Sequence, residues 1–489
     1  MTLDASLPLV RAIALADPLD APRALAGLPA AFLLHSGLRG PGARARWSFF
    51  GADPFARVRA PAGAPAEGGS GSGSGDADEA ARLWRELAAA APGPGAPAPA
   101  AAPFTGGAVG YWAYDYGRRL ERVPAIAHDD LGLPDFVLGF YDVVGVFDHT
   151  RNAAWLISSG LPLAGLDARR RAARRLEAFA RRLEAPPAPA PGEFALDPLA
   201  ATSTFERAGY LAAVEQVREH IRRGDIFQAN LSQRWSLPRN PEDRAQAGPG
   251  VLARALFEAL ARLSPAPHAA FLDLGDHAVA SASPERFLAL HQGRVEARPI
   301  KGTRPRGASA AEDDAQRAAL EGSAKDRAEN VMIVDVLRND LGRVCETGSV
   351  ETPALCELEA FPQVFHLTST VTGVLRSDLD ALDLLAAAFP GGSITGAPKI
   401  RAMEVVESLE PVRRHLYTGA IGYLDWSGDA DWSIAIRTAL VTGTAVHYAA
   451  GGGITADSDP AAEYDETLHK AAGMRAALEA LGADAVAAR

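Results

Sequence analysis

Two carboxylates in "SAKDRAENVMIVDVLRNDLGRV" (323–344) have the spacing of neighbours on a helix. Ser323 is a suitable N-cap and the apolar residues that follow recur at helical intervals, so a helix is expected here. Asp326 and Glu329 are three residues apart and would lie on one face of it. A solvated first turn, where acids favour the helix dipole, is the plain alternative to a functional pair.

A second acidic stripe lies in "DSDPAAEYDETLHKAAGMRAAL" (457–478). Asp459 can cap this helix, and Glu463, Glu466 and Lys470 then follow on one face. A surface ion pair between Glu466 and Lys470 would explain the stripe without any function. If the two acidic stripes converge, however, they offer the carboxylate oxygens that Mg²⁺ prefers.

Lysine is rare in this arginine-rich chain. The chain has 49 lysines plus arginines, and only four are lysines, at positions 301, 325, 399 and 470. Lys301 lies in "PIKGT" (299–303). A lysine can lose its proton and act as a nucleophile or base, whereas an arginine cannot. A structural salt bridge is the alternative reading of Lys301.

Two glycine-rich segments could bring backbone amides close to an anion. "FPGGSITGAPKIRAME" (389–404) precedes a predicted helix, and "AAGGGITAD" (449–457) follows a strand-like segment, where it could also simply turn the chain. The first segment lacks the lysine that directly follows the last glycine of a nucleotide-binding loop, so we exclude that reading. Arg437 lies among apolar residues in "DWSIAIRTALV" (431–441), which alternates like a strand. Such an arginine usually pairs with an anionic group. Together these features suggest a pocket for a small polyanion beside Mg²⁺.

The elements that position these residues occupy the later part of the chain. Spacers rich in Gly, Ser, Pro and Ala occur at 67–78, 91–103 and 184–194, and an arginine-rich segment at 167–183 reads as a solvated helix. From 203 onward, beginning with a capped helix, strand-like and helical segments alternate with few spacers. We therefore predict an N-terminal region at 1–195 and a catalytic region at 196–489, interleaved with each other.

Composition excludes several classes of protein. A net charge of −11 argues against nucleic-acid binding, and Cys345 and Cys356 form neither a disulfide framework nor a metal-ligand pattern. The N-terminus lacks the basic start of a signal peptide, and no apolar run is long enough to cross a membrane. We expect a cytoplasmic protein without a membrane partner.

Eight blocks in order between about 203 and 475 resemble the chorismate-utilising enzymes. They read "GDIFQANLSQRW", "SPERFLAL", "RPIKGTRPRG", "DRAENVMIVDVLRNDLGRV", "FHLTSTV", "FPGGSITGAPKIRAMEVVESLEP", "GAIGYLDW" and "GGGITADSDPAAEYDETLHKA". The N-terminal part is more weakly similar, through "FLLHSG" and "GGAVGYWAYDYGRRLE". The resemblance implies an α+β (mixed α/β) fold, with two mainly antiparallel sheets packed together and helices on the outside.

The resemblance also implies roles for individual residues. Mg²⁺ would be coordinated by Glu329 and Glu466, with Asp326 and Glu463 beside them or behind them through water. Glu285 would be the general acid/base at the ring hydroxyl, and His366 would line the ring. Substrate would be bound by Thr303, Thr395, Gly396, Tyr423, Arg437, Gly451, Gly452, Gly453 and Lys470.

Two positions separate the branches of this family by their nucleophile. Water-adding members use a lysine where this chain has Gln228, which leaves no obvious base for water here. Members that make anthranilate resemble "PIAGT", whereas those that aminate chorismate at C4 resemble the "PIKGT" of this chain. In the second group Lys301 would add at C2 as the C4 hydroxyl leaves, and ammonia would then add at C4 and expel the lysine. The expected product is 4-amino-4-deoxychorismate, for 4-aminobenzoate and folate synthesis. Anthranilate formation is the nearest alternative, and a non-catalytic chorismate-binding protein is a more distant one.

Two further partners follow from the resemblance. No glutamine amidotransferase signature with a cysteine nucleophile is present, so ammonia is expected from a separate glutaminase subunit in a heterodimer. In relatives the "FLLHSG" segment lines a tryptophan pocket, which here would comprise Leu34, Ser36, Pro267 and His268. Relatives usually carry Tyr or Phe where this chain has His268.

Overall fold

Strands with every side chain buried recur along the chain, as at Gly107–Trp112, Phe136–Tyr141 and Val143–Asp148. A strand that is buried on both faces must lie between two other layers. The computed structural model, which describes residues 7–38, 46–62, 75–91, 102–186, 194–361 and 364–487, shows these layers as two large sheets covered by helices.

The strands, numbered along the chain, are β1 (Leu9–Ile13), β2 (Phe32–His35), β3 (Trp47–Gly51), β4 (Ala56–Ala60), β5 (Gly107–Trp112), β6 (Phe136–Tyr141), β7 (Val143–Asp148), β8 (Ala153–Ser158), β9 (Thr202–Ser203), β10 (Gln228–Pro238), β11 (His268–Asp273), β12 (His277–Ser283), β13 (Arg286–His291), β14 (Arg294–Ala297), β15 (Ile300–Pro305), β16 (Glu351–Ala360), β17 (Val364–Val374), β18 (Gly396–Ala397), β19 (Ala420–Asp425), β20 (Ala430–Ile434), β21 (Thr438–Thr442) and β22 (Ala445–Ile454). The helices are α1 (Ala21–Ala24), α2 (Gly75–Ala90), α3 (Gly117–Leu120), α4 (Gly165–Leu183), α5 (Arg207–Arg222), α6 (Pro241–Gln246), α7 (Pro249–Leu263), α8 (Ala310–Glu321), α9 (Ala324–Gly342), α10 (Ala381–Ala388), α11 (Gly392–Thr395), α12 (Lys399–Leu409) and α13 (Pro460–Ala487).

Strand pairing in both sheets is antiparallel. Among the described residues, the larger sheet has 12 strands in the order β1-β8-β7-β3-β2-β11-β12-β21-β22-β10-β18, with β9 beside β10. The other sheet has 10 strands in the order β15-β17-β14-β13-β20-β19-β5-β6-β4, with β16 beside β17. This architecture confirms the expected fold class.

The core has three layers of packing. Between the sheets, residues such as Phe32 and Val279 of the larger sheet pack with Tyr111 and Ile421 of the other. Helices α4, α7 and α13 cover the outer face of the larger sheet, and α2, α9 and α10 cover the outer face of the other. Helices α9 and α13, which carry the acidic stripes, therefore lie on different sheets.

Both predicted acidic helices are present with their expected caps. The Ser323 hydroxyl accepts a 3.2 Å hydrogen bond from the Asp326 amide at the start of α9. The Asp459 carboxylate accepts one of 2.9 Å from the Ala462 amide at the start of α13. The helix expected from 203 begins only at Arg207, because residues 202 and 203 pair with β10 as strand β9.

One strand prediction was wrong in its continuity, and one of the two alternatives for a glycine run is excluded. The segment 431–441 is not one strand, since β20 belongs to the 10-stranded sheet and β21 to the 12-stranded sheet. Arg437 lies at the crossing with a φ of 52°, in the left-handed region. The glycine run 451–453 is not a turn either, because β22 continues through it to Ile454.

Strands from before and after residue 195 share both sheets, as β2 pairs with β11 and β5 pairs with β19. The domain boundary itself stays a prediction. Parts of the predicted spacers, at 67–74, 92–101 and 187–193, lie outside the described residues. No helix in the described part of the chain is long and apolar enough to span a membrane.

Candidate active site

The acid Glu285 and the amine Lys301 lie near each other, at the starts of β13 and β15. Glu285 directly precedes β13 and is 6% exposed, and Lys301 is the second residue of β15. The Ser393 hydroxyl donates a 2.7 Å hydrogen bond to Glu285 Oε1, and the Ile300 backbone also bonds this carboxylate. Burial raises the pKa of Glu285 to about 7, against the opposing effects of Ser393 and of the Lys301 charge.

The pKa of Lys301 is shifted downward by its surroundings, whereas that of Glu285 is shifted upward. Burial lowers the pKa of its ammonium group, and the neighbouring charge of Lys470 lowers it further. The carboxylates of Glu329 and Glu285 oppose this shift without cancelling it. Burial in the same site therefore shifts both groups toward their neutral forms, by a raised pKa for the acid and a lowered pKa for the amine.

The two glycine segments lie on either side of one strand. Gly396 on β18 pairs with Ala229 on β10, and Gly453 on β22 pairs with Asn230 on the other edge of β10. A Cβ atom on Gly453 would lie 1.9 Å from the Gln228 amide nitrogen and 3.6 Å from Lys301 Nζ. The missing side chain thus makes room for Gln228 and for the amine.

Gln228 is 2% exposed, and its side-chain oxygen has no hydrogen-bond partner within the described residues. The Gln228 side chain and Lys301 Nζ both lie close to Gly453. Lys470 closes the opposite side, where its ammonium donates a 2.9 Å hydrogen bond to the Gly451 carbonyl. The structure therefore brings Lys301, Glu285, Lys470 and the second glycine segment together as expected.

Arg437, His366 and Thr303 form another wall of the site. The Thr303 hydroxyl and His366 Nδ1 are 2.9 Å apart across the β15–β17 pair. Burial and the nearby charge of Arg437 lower the pKa of His366 to about 4, so its ring is neutral at pH 7. A neutral ring beside an arginine can line an anionic substrate without adding charge.

Tyr417, rather than Tyr423, is the tyrosine near Arg437. Burial raises the pKa of the Tyr417 hydroxyl, and the charges of Arg414 and Arg437 oppose this shift. Tyr423 instead packs its ring 4.5 Å from that of Phe104, between the sheets. The substrate-binding role of Tyr423 came from the match to the family motif, and it stays a prediction.

A second cavity lies behind the acid and the amine. Leu34, Ser36, Pro267 and His268 line one pocket together with Tyr423, as the resemblance predicts for the first four. It adjoins a cavity of about 180 Å³ that reaches Pro284 and Ile300, the neighbours of Glu285 and Lys301. Burial and the charge of Arg286 lower the pKa of His268 to about 3. Occupation of this cavity by tryptophan stays a prediction.

The four carboxylates of α9 and α13 suit a hard cation in their chemistry. Burial raises the pKa of Glu329, and the charges of Asp326 and Glu463 add to that shift. Repulsion of this kind is relieved by a bound cation. A Cβ atom on Gly452 would lie 2.9 Å from Glu463 Oε2, so the glycine leaves space for the acidic cluster. The donor set fits Mg²⁺.

These carboxylates are not converged on one point, and no group of three metal-binding side chains occurs among the described residues. Asp326 accepts a 3.0 Å hydrogen bond from Arg304, and the Ser458 hydroxyl donates one of 2.6 Å to Glu463. Glu466 lies 2.6 Å from the Lys470 ammonium, which holds the pKa of this acid below its usual range although burial raises it.

Two functional residues escaped prediction from the sequence. The Ser393 hydroxyl donates to Glu285, and Tyr417 lies next to Arg437. The position of Ser393 inside "GGSITG" was an available signal, since that turn had been singled out. Tyr417 carried no such signal, because it precedes β19 in an irregular segment.

Comparison with known proteins agrees with this geometry. A family model described as chorismate binding enzyme matches residues 40–476. Aminodeoxychorismate synthase component 1 of Klebsiella aerogenes is 46% identical over 368 residues, 75% of this chain and 76% of that protein. Anthranilate synthase component 1 of Thermus thermophilus is 42% identical over 77% of this chain and 78% of its own. The crystal structure of anthranilate synthase component I from Streptococcus pneumoniae superposes with a TM-score of 0.71 at 32% identity, covering 90% of this chain and 93% of that one.

Proposed function

The chain belongs to the family of chorismate binding enzymes, and from this premise we propose that it acts as an aminodeoxychorismate synthase component 1. In this proposal it converts chorismate and ammonia into 4-amino-4-deoxychorismate, the precursor of 4-aminobenzoate for folate synthesis. The observation that carries the proposal is Lys301, an amine whose pKa is lowered by burial and which lies beside an acid of pKa about 7.

The first step uses both groups. The unprotonated amine of Lys301 adds to C2 of the ring, the double bonds shift, and the C4–O bond breaks. Protonated Glu285 supplies the proton with which the departing hydroxyl leaves as water. Lys301 is then attached to C2 as a secondary ammonium group, and Glu285 is a carboxylate.

The second step restores the enzyme. Ammonia adds to C4, the double bonds shift back, and the C2–N bond breaks, so that Lys301 leaves as a neutral amine. Glu285 takes a proton from the new ammonium group at C4 and is ready for another cycle. The net reaction is chorismate plus ammonia to 4-amino-4-deoxychorismate plus water.

The remaining residues bind and orient the substrate. Arg437, Tyr417 and Lys470 would hold its carboxylates, together with the backbone at Thr395–Gly396 and Gly451–Gly453. Mg²⁺ held by Glu329 and Glu466, with Asp326 and Glu463 in support, would assist departure of the C4 hydroxyl. His366 and Thr303 would line the ring.

Ammonia would come from a glutaminase subunit in a heterodimer. The chain has two cysteines, Cys345 and Cys356, and both are buried. Burial raises the pKa of the Cys345 thiol, which disfavours the thiolate that a glutaminase needs. Adding a glutaminase subunit should therefore allow glutamine to replace ammonium salts.

A product assay tests the proposal. Purified protein is mixed with chorismate, Mg²⁺ and an ammonium salt, and the product is identified by chromatography and mass spectrometry. We expect 4-amino-4-deoxychorismate, which yields 4-aminobenzoate only after a separate lyase is added. Formation of fluorescent anthranilate without a lyase would instead establish the second candidate, anthranilate synthase, which the 42% identity to the Thermus protein supports.

A further inference from the structure

Lysine ammonium groups lie beside the acidic cluster of α9 and α13. Lys325 Nζ lies 4.0 Å from Glu329 Oε1 and 3.7 Å from Glu463 Oε1, so one ammonium spans carboxylates of α9 and α13. Lys470 Nζ pairs with Glu466 in the same cluster. Each of these three carboxylates therefore has a cation near it, although no metal-binding group of three is assembled among the described residues.

Lys325 and the two carboxylates that it bridges differ in their freedom to move. The Lys325 side chain is 53% exposed, whereas those of Glu329 and Glu463 are 15% and 5% exposed. A lysine ammonium on a long stem can move into water at little cost, but buried carboxylates cannot follow it. If a divalent cation enters, Lys325 is therefore the group that leaves.

We propose that Lys325 is the resident counter-ion of the carboxylate site, which bridges Glu329 and Glu463 in the metal-free protein and is displaced when the divalent cation binds. The inference rests on the metal site of the proposed function, but it concerns the metal-free state and needs no substrate. It assigns Lys325 two effects, since its ammonium stabilises the metal-free cluster and competes with the cation.

Competition between the Lys325 ammonium and a divalent cation predicts how metal affinity changes when the ammonium is removed. Removal of the ammonium removes one positive charge beside the site and leaves two buried carboxylates without their bridge. The variant should bind a divalent cation more tightly, and its metal-free form should be less stable. Because Lys325 is half exposed, the gain in affinity should be roughly two- to five-fold, as expected for a solvent-screened ion pair.

The experiment measures Mn²⁺ binding by electron paramagnetic resonance and Mg²⁺ binding by calorimetry, in the absence of chorismate. Lys325→Met is compared with Lys325→Arg, which keeps the charge, and with Arg327→Met. Arg327 is exposed on the same helix, two residues from Glu329 and therefore on a different face, and its loss changes the net charge equally. We expect tighter binding by Lys325→Met alone.

Thermal unfolding gives a second readout. Lys325→Met should lower the melting temperature of the metal-free protein, and saturating Mg²⁺ should remove the difference from wild type. Wild-type or weaker Mn²⁺ affinity in Lys325→Met, an equal gain in Arg327→Met, or no metal binding by the wild type would each overturn the inference. A different product in the chorismate assay would leave these measurements unaffected, so the two failures can be told apart.

Discussion

Burial shifts the pKa values of Glu285 and Lys301 in opposite directions. Burial disfavours the charged form of every ionisable group, so it raises the pKa of the acid and lowers that of the amine. Burial therefore favours the combination of neutral Glu285 with neutral Lys301, relative to the same groups in water. That combination is the one needed for an amine to attack while an acid protonates the leaving oxygen.

The pH profile should report Glu285 through its contact with Ser393. Activity that needs protonated Glu285 falls as pH rises through its pKa of about 7. The Ser393 hydroxyl donates to the carboxylate and so stabilises its charged form. Ser393→Ala should raise the pKa of Glu285 and move the falling limb of the kcat profile to higher pH. The measurement is made at constant free ammonia, because ammonium itself titrates at alkaline pH.

Ser408→Ala serves as the control, since the Ser408 hydroxyl donates within its own helix to the Val405 carbonyl. Its profile should match that of wild type. A falling limb in Ser393→Ala that stays in place, or that moves to lower pH, would show that the limb does not belong to Glu285.

Strand β10 aligns the two glycine segments, and this alignment depends on the absence of side chains. Gly453→Ala would place a Cβ atom 1.9 Å from the side-chain amide nitrogen of Gln228, so this buried side chain must move from its place near Lys301. Overpacking of this kind costs about 1–3 kcal/mol, which corresponds to roughly five- to 150-fold in kcat/KM if the site bears the whole cost. Steady-state kinetics with chorismate measure this loss.

Gly443→Ala is the matched control, because no atom lies within 4 Å of the added Cβ and the residue precedes the same strand. It should retain wild-type kinetics. Equal kcat/KM values for Gly453→Ala and wild type would contradict the assignment of this glycine to the site.

A buried ion pair links α9, which carries Glu329, to α12, which follows the first glycine segment. Lys399 Nζ lies 2.7 Å from Asp340 Oδ2 and donates a second bond of 2.7 Å to the Ala388 carbonyl. Burial raises the pKa of Asp340 to about 6 even with Lys399 present. The ion pair therefore fixes the spacing between helix α9 and the glycine segment that precedes α12.

Lys399→Met should destabilise the protein by about 3–5 kcal/mol at pH 8, because it leaves a buried carboxylate without its partner. The folded-state pKa of Asp340 is already above the unfolded value and would rise further in the variant. A protonated Asp340 leaves no unpaired buried charge, and this contribution to stability is lost as pH rises and the carboxyl ionises. The destabilisation should therefore be smaller at pH 5 than at pH 8. Urea unfolding at the two pH values measures this, and Lys399→Met/Asp340→Asn should recover part of the loss. An equal loss at both pH values would contradict the account.

Helices were easier to predict than strands in this chain. Capping residues and acidic spacing are local signals, and they gave the starts of α9 and α13 correctly. The break between β20 and β21 was missed because apolar alternation continues through it while the chain changes sheets. Tyr423 was named through the family motif alone, and only the structure shows that Tyr417 lies near Arg437.

The whole molecule assembles the site from segments that are distant in sequence. Gln228, Glu285, Lys301, Glu329 and Lys470 come from five elements or their ends on two sheets, and only the resemblance to a family related them in advance. The cavity that reaches Pro284 and Ile300 is lined by residues of both halves of the chain, such as Ser36 and Arg298. No local pattern predicts such contacts, because they depend on how the sheets face each other.

The most direct test of this account is whether Lys301 becomes bonded to the substrate. Enzyme is mixed with chorismate and Mg²⁺ without ammonium, quenched within one turnover time, and examined by intact-protein and peptide mass spectrometry. We expect a mass gain of one chorismate less one water on the peptide that contains Lys301. It should disappear when ammonium is added, and it should be absent from Lys301→Ala and Lys301→Arg. Formation of 4-amino-4-deoxychorismate at the wild-type rate by Lys301→Ala, or in wild type without any such adduct, would contradict the account.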